Sequence, residues 1–289
     1  MDLVFKILIY LLSLPIFGMG SNFLMLPSSV DQIAVGNHST IDGASPINPA
    51  LFSAVENQSN IQVSRGAWIG DINLMNISFN QSLKNKVFHF GINYSGLTGF
   101  EYRENRPEDL PKSHFSSYGL LIKSGFSIKN IRNSFGISFS YLKMGIETQE
   151  TGGIGINFGF AHQFNQVLKL GVSLENIGYV NKINKKKITL PTRLITTLSS
   201  KIFPDKYNST IYGSIDWDSD ITDNKYLLGN STSWNNFNLY NGFLISENLK
   251  EFSAGFSIKI NSIDIGYGKK FSSHNLGSPQ IISFKILLP

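Results

Sequence analysis

The chain has 289 residues, of which 42% are hydrophobic and only 16% charged, with no cysteine and a formal net charge of +5. Charged residues fill about 25% of positions in soluble domains, so this composition excludes an ordinary soluble surface. The lack of cysteine excludes a disulfide framework, a thiolate metal site and a thiol nucleophile, and no basic face with interleaved aromatics points to nucleic acid.

The first element is an address. "MDLVFKILIYLLSLPIFGMG" carries Lys6, an apolar stretch from Ile7 to Phe17, and small residues Gly18 and Gly20 at signal-peptidase spacing. Residues 1–20 are therefore expected to be a signal peptide, although Asp2 is atypical of one. No cysteine follows Gly20, which excludes a lipid anchor, and no later stretch is apolar for about 18 residues. The mature chain is expected to be exported, without a transmembrane helix. Residues 21–60 show no sustained alternation and form a segment of their own.

From residue 61 onward the pattern has period two. "KVFHFGINY" sets Phe88, Phe90, Ile92 and Tyr94 on one side. "NSFGISFSYL" sets Phe135, Ile137, Phe139 and Tyr141 against Gly136, Ser138 and Ser140. "GGIGINFGFAHQF" sets Ile154, Ile156, Phe158 and Phe160 against Gly155, Asn157, Gly159 and Ala161. "VLKLGVSLEN", "EFSAGFSIKI" and "NSIDIGYGKK" repeat the alternation. About fourteen such segments are expected, starting near Ile61, Ile72, Lys86, Phe115, Asn133, Gly152, Val167, Leu190, Asn208, Asp223, Asn235, Leu249, Ser262 and Pro279. Strands of soluble proteins average about five or six residues, whereas a strand crossing a bilayer needs about nine to eleven. These segments fit the second length, and an even strand number suits a single-chain bacterial barrel. In hydrocarbon every backbone group must be paired, so only helices or closed barrels cross. The greasy faces then meet lipid and the small faces line a lumen. Tyr94, Tyr141, Tyr179, Tyr226 and Trp217 lie near strand ends, where aromatic girdles sit. A secreted β-sandwich is the alternative, but its solvated faces would carry more Lys, Glu and Thr.

The remaining motifs carry little chemistry. The charged loop at 96–115, with Arg103, Arg106, Glu108 and Asp109, suits an extracellular surface that docks a partner or is merely solvated. "NKINKKKI", with Lys182, Lys185, Lys186 and Lys187, faces acidic headgroups or water. "DWDSDITDN" lacks the glycine and terminal glutamate of an EF-hand and reads as a strand end entering a turn. His38, His89, His114, His162 and His274 show no metal-ligand spacing. No nucleophile elbow or zinc-protease helix is present. No enzyme activity, metal or cofactor is expected.

Several residues carry a resemblance. Phe23, Leu24 and Pro27, then Ala34 and Gly36, then Asp42 and Asn48-Pro49-Ala50 follow one another as in the N-terminal segment of the PorV/PorQ family of outer-membrane barrels, related to the fatty-acid transporter FadL. Asn37 and His38 stand where Gly-Ala is usual there, and Ser45 where Ala is usual. "LKLGVSLENIG", "KKKITLPTRL" and the final three strands continue the likeness over nearly the whole mature chain. The resemblance implies an all-β, FadL-like transmembrane antiparallel barrel of about fourteen strands at residues 61–289, and a hatch or plug at 21–60. A turn at Asn-Pro-Ala, where proline biases Asn48 to extended backbone, suits a plug seated in a lumen. The resemblance further implies a bacterial outer-membrane protein in type IX secretion and surface attachment, with secreted cargo C-terminal domains or secretion-system subunits as partners. The alternative is a passive FadL-like channel for hydrophobic small molecules, with a hydrophobic ligand in the lumen. Outer-membrane lipid is a partner in both.

Overall fold

The computed structural model describes residues 20–52, 59–102, 111–183, 187–202, 208–272 and 277–288. The expected signal peptide, apart from Gly20, and the loop residues Arg103, Arg106, Glu108 and Asp109 lie outside the described residues. Fourteen strands form one closed sheet. They are β1 Asn60–Ala67, β2 Asn73–Leu83, β3 Lys86–Tyr102, β4 Ser113–Lys129, β5 Asn133–Ile146, β6 Gln149–Gln163, β7 Leu168–Val180, β8 Arg193–Ile202, β9 Asn208–Asp218, β10 Ile221–Trp234, β11 Phe237–Ile245, β12 Lys250–Ile260, β13 Ile263–Ser272 and β14 Gln280–Leu287. Each pairs antiparallel with its chain neighbours, and β1 closes on β14 from Asn60↔Leu287 to Ala67↔Gln280. Closure leaves no edge, the condition for a sheet in hydrocarbon.

Each strand begins within three residues of its expected start. The expected eighth strand is displaced for a physical reason. Pro191 cannot donate to a ladder, so Leu190 stays out of the sheet and folds inward, 7% exposed, against Phe23.

The two faces of the wall differ as the alternation requires. Outward residues stay exposed although they are apolar: Ile154 is 64%, Leu228 57% and Phe139 56% exposed. Water would not tolerate such a band around the whole sheet; lipid does. Tyr94, Tyr141, Tyr179, Tyr226 and Trp217 are all exposed, and Trp234 marks the opposite rim. The longest intervals between strands, from Tyr102 to Ser113, Val180 to Arg193 and Ser272 to Gln280, have their strand ends at one end of the barrel. The other end carries short links such as 84–85, 235–236 and 261–262. Long loops are extracellular and short turns periplasmic in such barrels.

Residues 20–52 fill the lumen as a plug that descends while circling the wall. A 3-10 turn at Gly20–Met25 sits in the extracellular half, where Phe23 packs with Leu121, Leu142, Met144 and Val180. The short helix α1, Val30–Ala34, is capped by Ser29 and lies against β12 to β14. Its Val30 N–H donates to Ser283 Oγ at 3.3 Å, and Ser253 Oγ donates to the Ala34 carbonyl at 3.0 Å. A second 3-10 turn, Pro49–Leu51, lies low against β4 to β6. Small residues on the inner wall make this seating possible. A Cβ on Gly159 would overlap Asn48 Oδ1, and one on Gly171 would overlap the Ser39 carbonyl.

Candidate functional site: a string of cavities through the plug

Four cavities follow one another down the lumen, each sharing lining residues with the next. The first, about 40 Å³, is mainly apolar and is bounded by Phe23, Leu24, Leu26, Leu74 and Ile281. It adjoins a second of about 40 Å³ through Leu24, Leu26, Ser28, Asn93 and Leu121. The second runs between plug and wall, where Lys123, Glu175 and Arg193 meet Asn37 and Ile47. A third cavity, about 10 Å³, lies within the plug and shares Gln32, Ser45, Pro46 and Ile47 with the second. Asp31 and Ile41 connect it to a periplasmic vestibule of about 540 Å³. The third cavity is the constriction, since about 10–15 Å³ is needed to hold one water.

Gln32 lies at that constriction and bridges it. Its Nε2 donates to the Ser45 carbonyl at 2.7 Å, while its Oε1 accepts from Ser28 N–H at 2.8 Å and Ser28 Oγ at 3.1 Å. One side chain thus ties together three points of the plug. His38 fastens the plug to the wall. It is 2% exposed, its Nδ1 lies 2.5 Å from Ser214 Oγ and its Nε2 3.2 Å from the Val35 carbonyl, and its ring stacks on Tyr212. Burial pulls its pKa down to about 4, because the charged imidazolium loses its hydration. Burial pushes the Asp31 carboxyl above its usual range, with Lys285 acting in the opposite direction.

Sequence reasoning assigned seven residues to the plug, and the structure sets them at separate levels. Phe23, Leu24 and Pro27 line the upper apolar cavity. Asp42 lies at the vestibule, paired with Lys169 at 2.9 Å. Asn48, Pro49 and Ala50 form the low seat. Asn48 is fully buried and makes three hydrogen bonds. Its Oδ1 caps Ala50 N–H at 2.9 Å, and its Nδ2 donates to the Ser39 carbonyl at 2.8 Å and to the Phe160 carbonyl of β6 at 3.0 Å.

A ladder of buried charges was not identified from the sequence. Arg193 of β8 donates through Nε to Asp216 Oδ1 at 2.7 Å and through a second guanidinium nitrogen to Asp216 Oδ2. Glu175 stands beside Arg193 in register on β7. A bulge follows at Asn176, whose φ is +59°, a conformation asparagine tolerates. Its N–H donates to Asn157 Oδ1 at 2.7 Å, where the β6–β7 register shifts. Each of these charges occupies an inward position of its strand, and all three are buried.

No family model matches the chain, and no curated protein matches it in sequence. Among solved structures, it is similar to the toluene transporter TodX of Pseudomonas putida, with a TM-score of 0.67, 11% identity, and coverage of 90% of this chain and 97% of that one. The toluene transporter TbuX of Ralstonia pickettii gives 0.63 at 11% identity over 91% and 98%. A FadL homologue from Pseudomonas aeruginosa gives 0.57 at 10% over 90% and 98%. The fold is that of the FadL-type barrels. At these identities the likeness carries architecture alone.

Proposed function

We propose that this chain is a bacterial outer-membrane channel through which small hydrophobic molecules pass, exported by residues 1–20 and gated by residues 21–60 inside the wall at 61–289. The observation that carries this reading is the row of neighbouring cavities, apolar at the extracellular end, narrowed to about 10 Å³ within the plug, and followed by a wide vestibule. An apolar solute leaves water at the upper cavity, at about 25 cal/mol per Å² of surface buried, and continues when the plug yields. The two toluene transporters among the similar structures support the same direction. Transport needs no covalent chemistry and therefore no catalytic group. Type IX secretion, the role first expected from the PorV/PorQ resemblance, draws no support from these cavities or from the similar structures.

Uptake of radiolabelled toluene by cells lacking the gene, and by complemented cells, tests the proposal. Uptake from dilute solution is expected to slow in the deletion strain and to recover on complementation. Unchanged uptake, together with secreted proteins or translocon subunits in a pull-down of the detergent-solubilised barrel, would replace it with the secretion reading.

A further inference from the structure

The barrel wall has one junction unlike the rest. Every other pair of neighbouring strands is consecutive in the chain, whereas β1 and β14 are the first and the last strand. They are also the shortest of the fourteen, with eight residues each. Ser64 and Ser283 face each other across this seam and lie 219 residues apart in sequence. No short turn holds them together, and closing so long a loop costs chain entropy. Until the seam closes, both strands present unpaired N–H and C=O groups, which hydrocarbon does not tolerate.

The plug crosses this seam from the inside. Leu26, Pro27 and Ser28 border the first cavity together with Ser64 and Gly66 of β1 and Leu74 of β2. The chain then enters α1, which lies against β12 to β14. Val30, Ile33 and Ala34 of α1 share one buried cluster with Leu74 on one side of the seam and Ile281 of β14 on the other. Leu74 and Ile281 both stand in register with Gly66, in a row across β2, β1 and β14. Gly66 keeps that row open, since a Cβ there would lie 2.6 Å from Ile281 Cγ1 and 2.4 Å from the Gln280 carbonyl oxygen. A polar link runs beside the apolar one. Ser283 Oγ accepts from Val30 N–H at 3.3 Å and lies 2.8 Å from Ser64 Oγ, so one buried hydroxyl joins α1, β14 and β1.

We infer that residues 26–34 have a function apart from obstructing the lumen: they staple the seam, and their seating is the step that closes the barrel. The apolar groups of the plug, β2 and β14 leave water together only when all three are in place. The plug therefore gains burial from a closed wall, and the wall gains it from the plug. This function does not depend on what passes through the barrel.

The test follows amide exchange strand by strand in the full chain refolded in detergent micelles. Ile33→Asp puts a charge at a position with no exposure and alters no wall residue. Deletion of residues 21–34 removes the staple outright. In both variants β1 and β14 are expected to exchange about tenfold faster than in the native chain, while β4 to β6 stay within about twofold, because local opening is confined to the seam. Ser64→Cys combined with Ser283→Cys, in a chain without other cysteine, should restore the protection once oxidised. Where a variant does not assemble when reduced, refolding from its oxidised form should recover a heat-modifiable barrel. Native protection of β1 and β14 in either variant, equal loosening of β4 to β6, or no recovery by the seam disulfide overturns the inference.

Discussion

The extracellular and periplasmic halves of the lumen are built from the same strands but are different environments. In the extracellular half the space around the plug is divided into pockets of about 40 Å³ edged by leucines and by Lys123, Glu175 and Arg193. Below it lies one vestibule of about 540 Å³ with Lys129, Arg132 and Lys201 at its walls. The plug causes the difference. It enters high, packs Phe23 and leucines against the upper wall, and leaves low through the turn at Pro49–Leu51. In the proposed channel an apolar solute would be held above the constriction and released below it, where the wall is mainly polar.

Three changes break or sharpen that contrast. The largest effect is expected from Gly159→Val, which forces a side chain into Asn48, Pro49 and Ala50. Overpacking costs about 1–3 kcal/mol or more. Here rigid backbone is displaced, so the low limb should leave its seat and merge vestibule and upper lumen. Planar-bilayer recordings should then show steady conductance where the native chain is closed, and a closed mutant would refute the seating role of Asn48.

Next is acidification. Docked His38 titrates at about 4 against 6.5 when exposed, so the docked plug carries fewer protons between those values. Docking strength is full above pH 6.5 and falls as the pH drops toward 4, by about 3 kcal/mol in all. Asp31 acts in the opposite sense, because its raised pKa lets the docked plug keep a proton that the exposed carboxyl releases. Amide exchange in residues 30–42 should lose protection over this range. The loss should be steeper in Asp31→Asn and absent in His38→Asn. Protection that stays flat in the native chain contradicts the clasp.

The smallest effect belongs to Gln32→Ala. It removes three hydrogen bonds inside the plug, at a net cost of about 1 kcal/mol each at most, with water partly replacing them. Brief, infrequent openings should appear in the same recordings without lasting conductance. Continuous opening would mean that Gln32, and not the seat at Gly159, holds the plug.

How much was legible in the chain varies by level. The strand starts were readable because Phe135, Phe139 and Tyr141 alternate with Gly136, Ser138 and Ser140, and only one geometry puts such sets on opposite sides. The seat at Asn48-Pro49-Ala50 was readable as a turn, since proline restricts its own φ and the residue before it. Its partners were not, because the Phe160 carbonyl lies 112 residues away. Leu190 read as a strand start, but Pro191 keeps it out of the ladder, and it joins the buried cluster around Phe23 instead. Gln32 gave no signal at all, being one polar residue in a segment without periodicity.

By itself the sequence determined a membrane barrel, because alternation and segment length are local properties that hydrocarbon interprets in a single way. Only the tertiary structure decided which inward side chains meet across the lumen, how the plug divides it, and which plug residues cross the seam. Those relations join residues from distant strands, and no period along the chain encodes them.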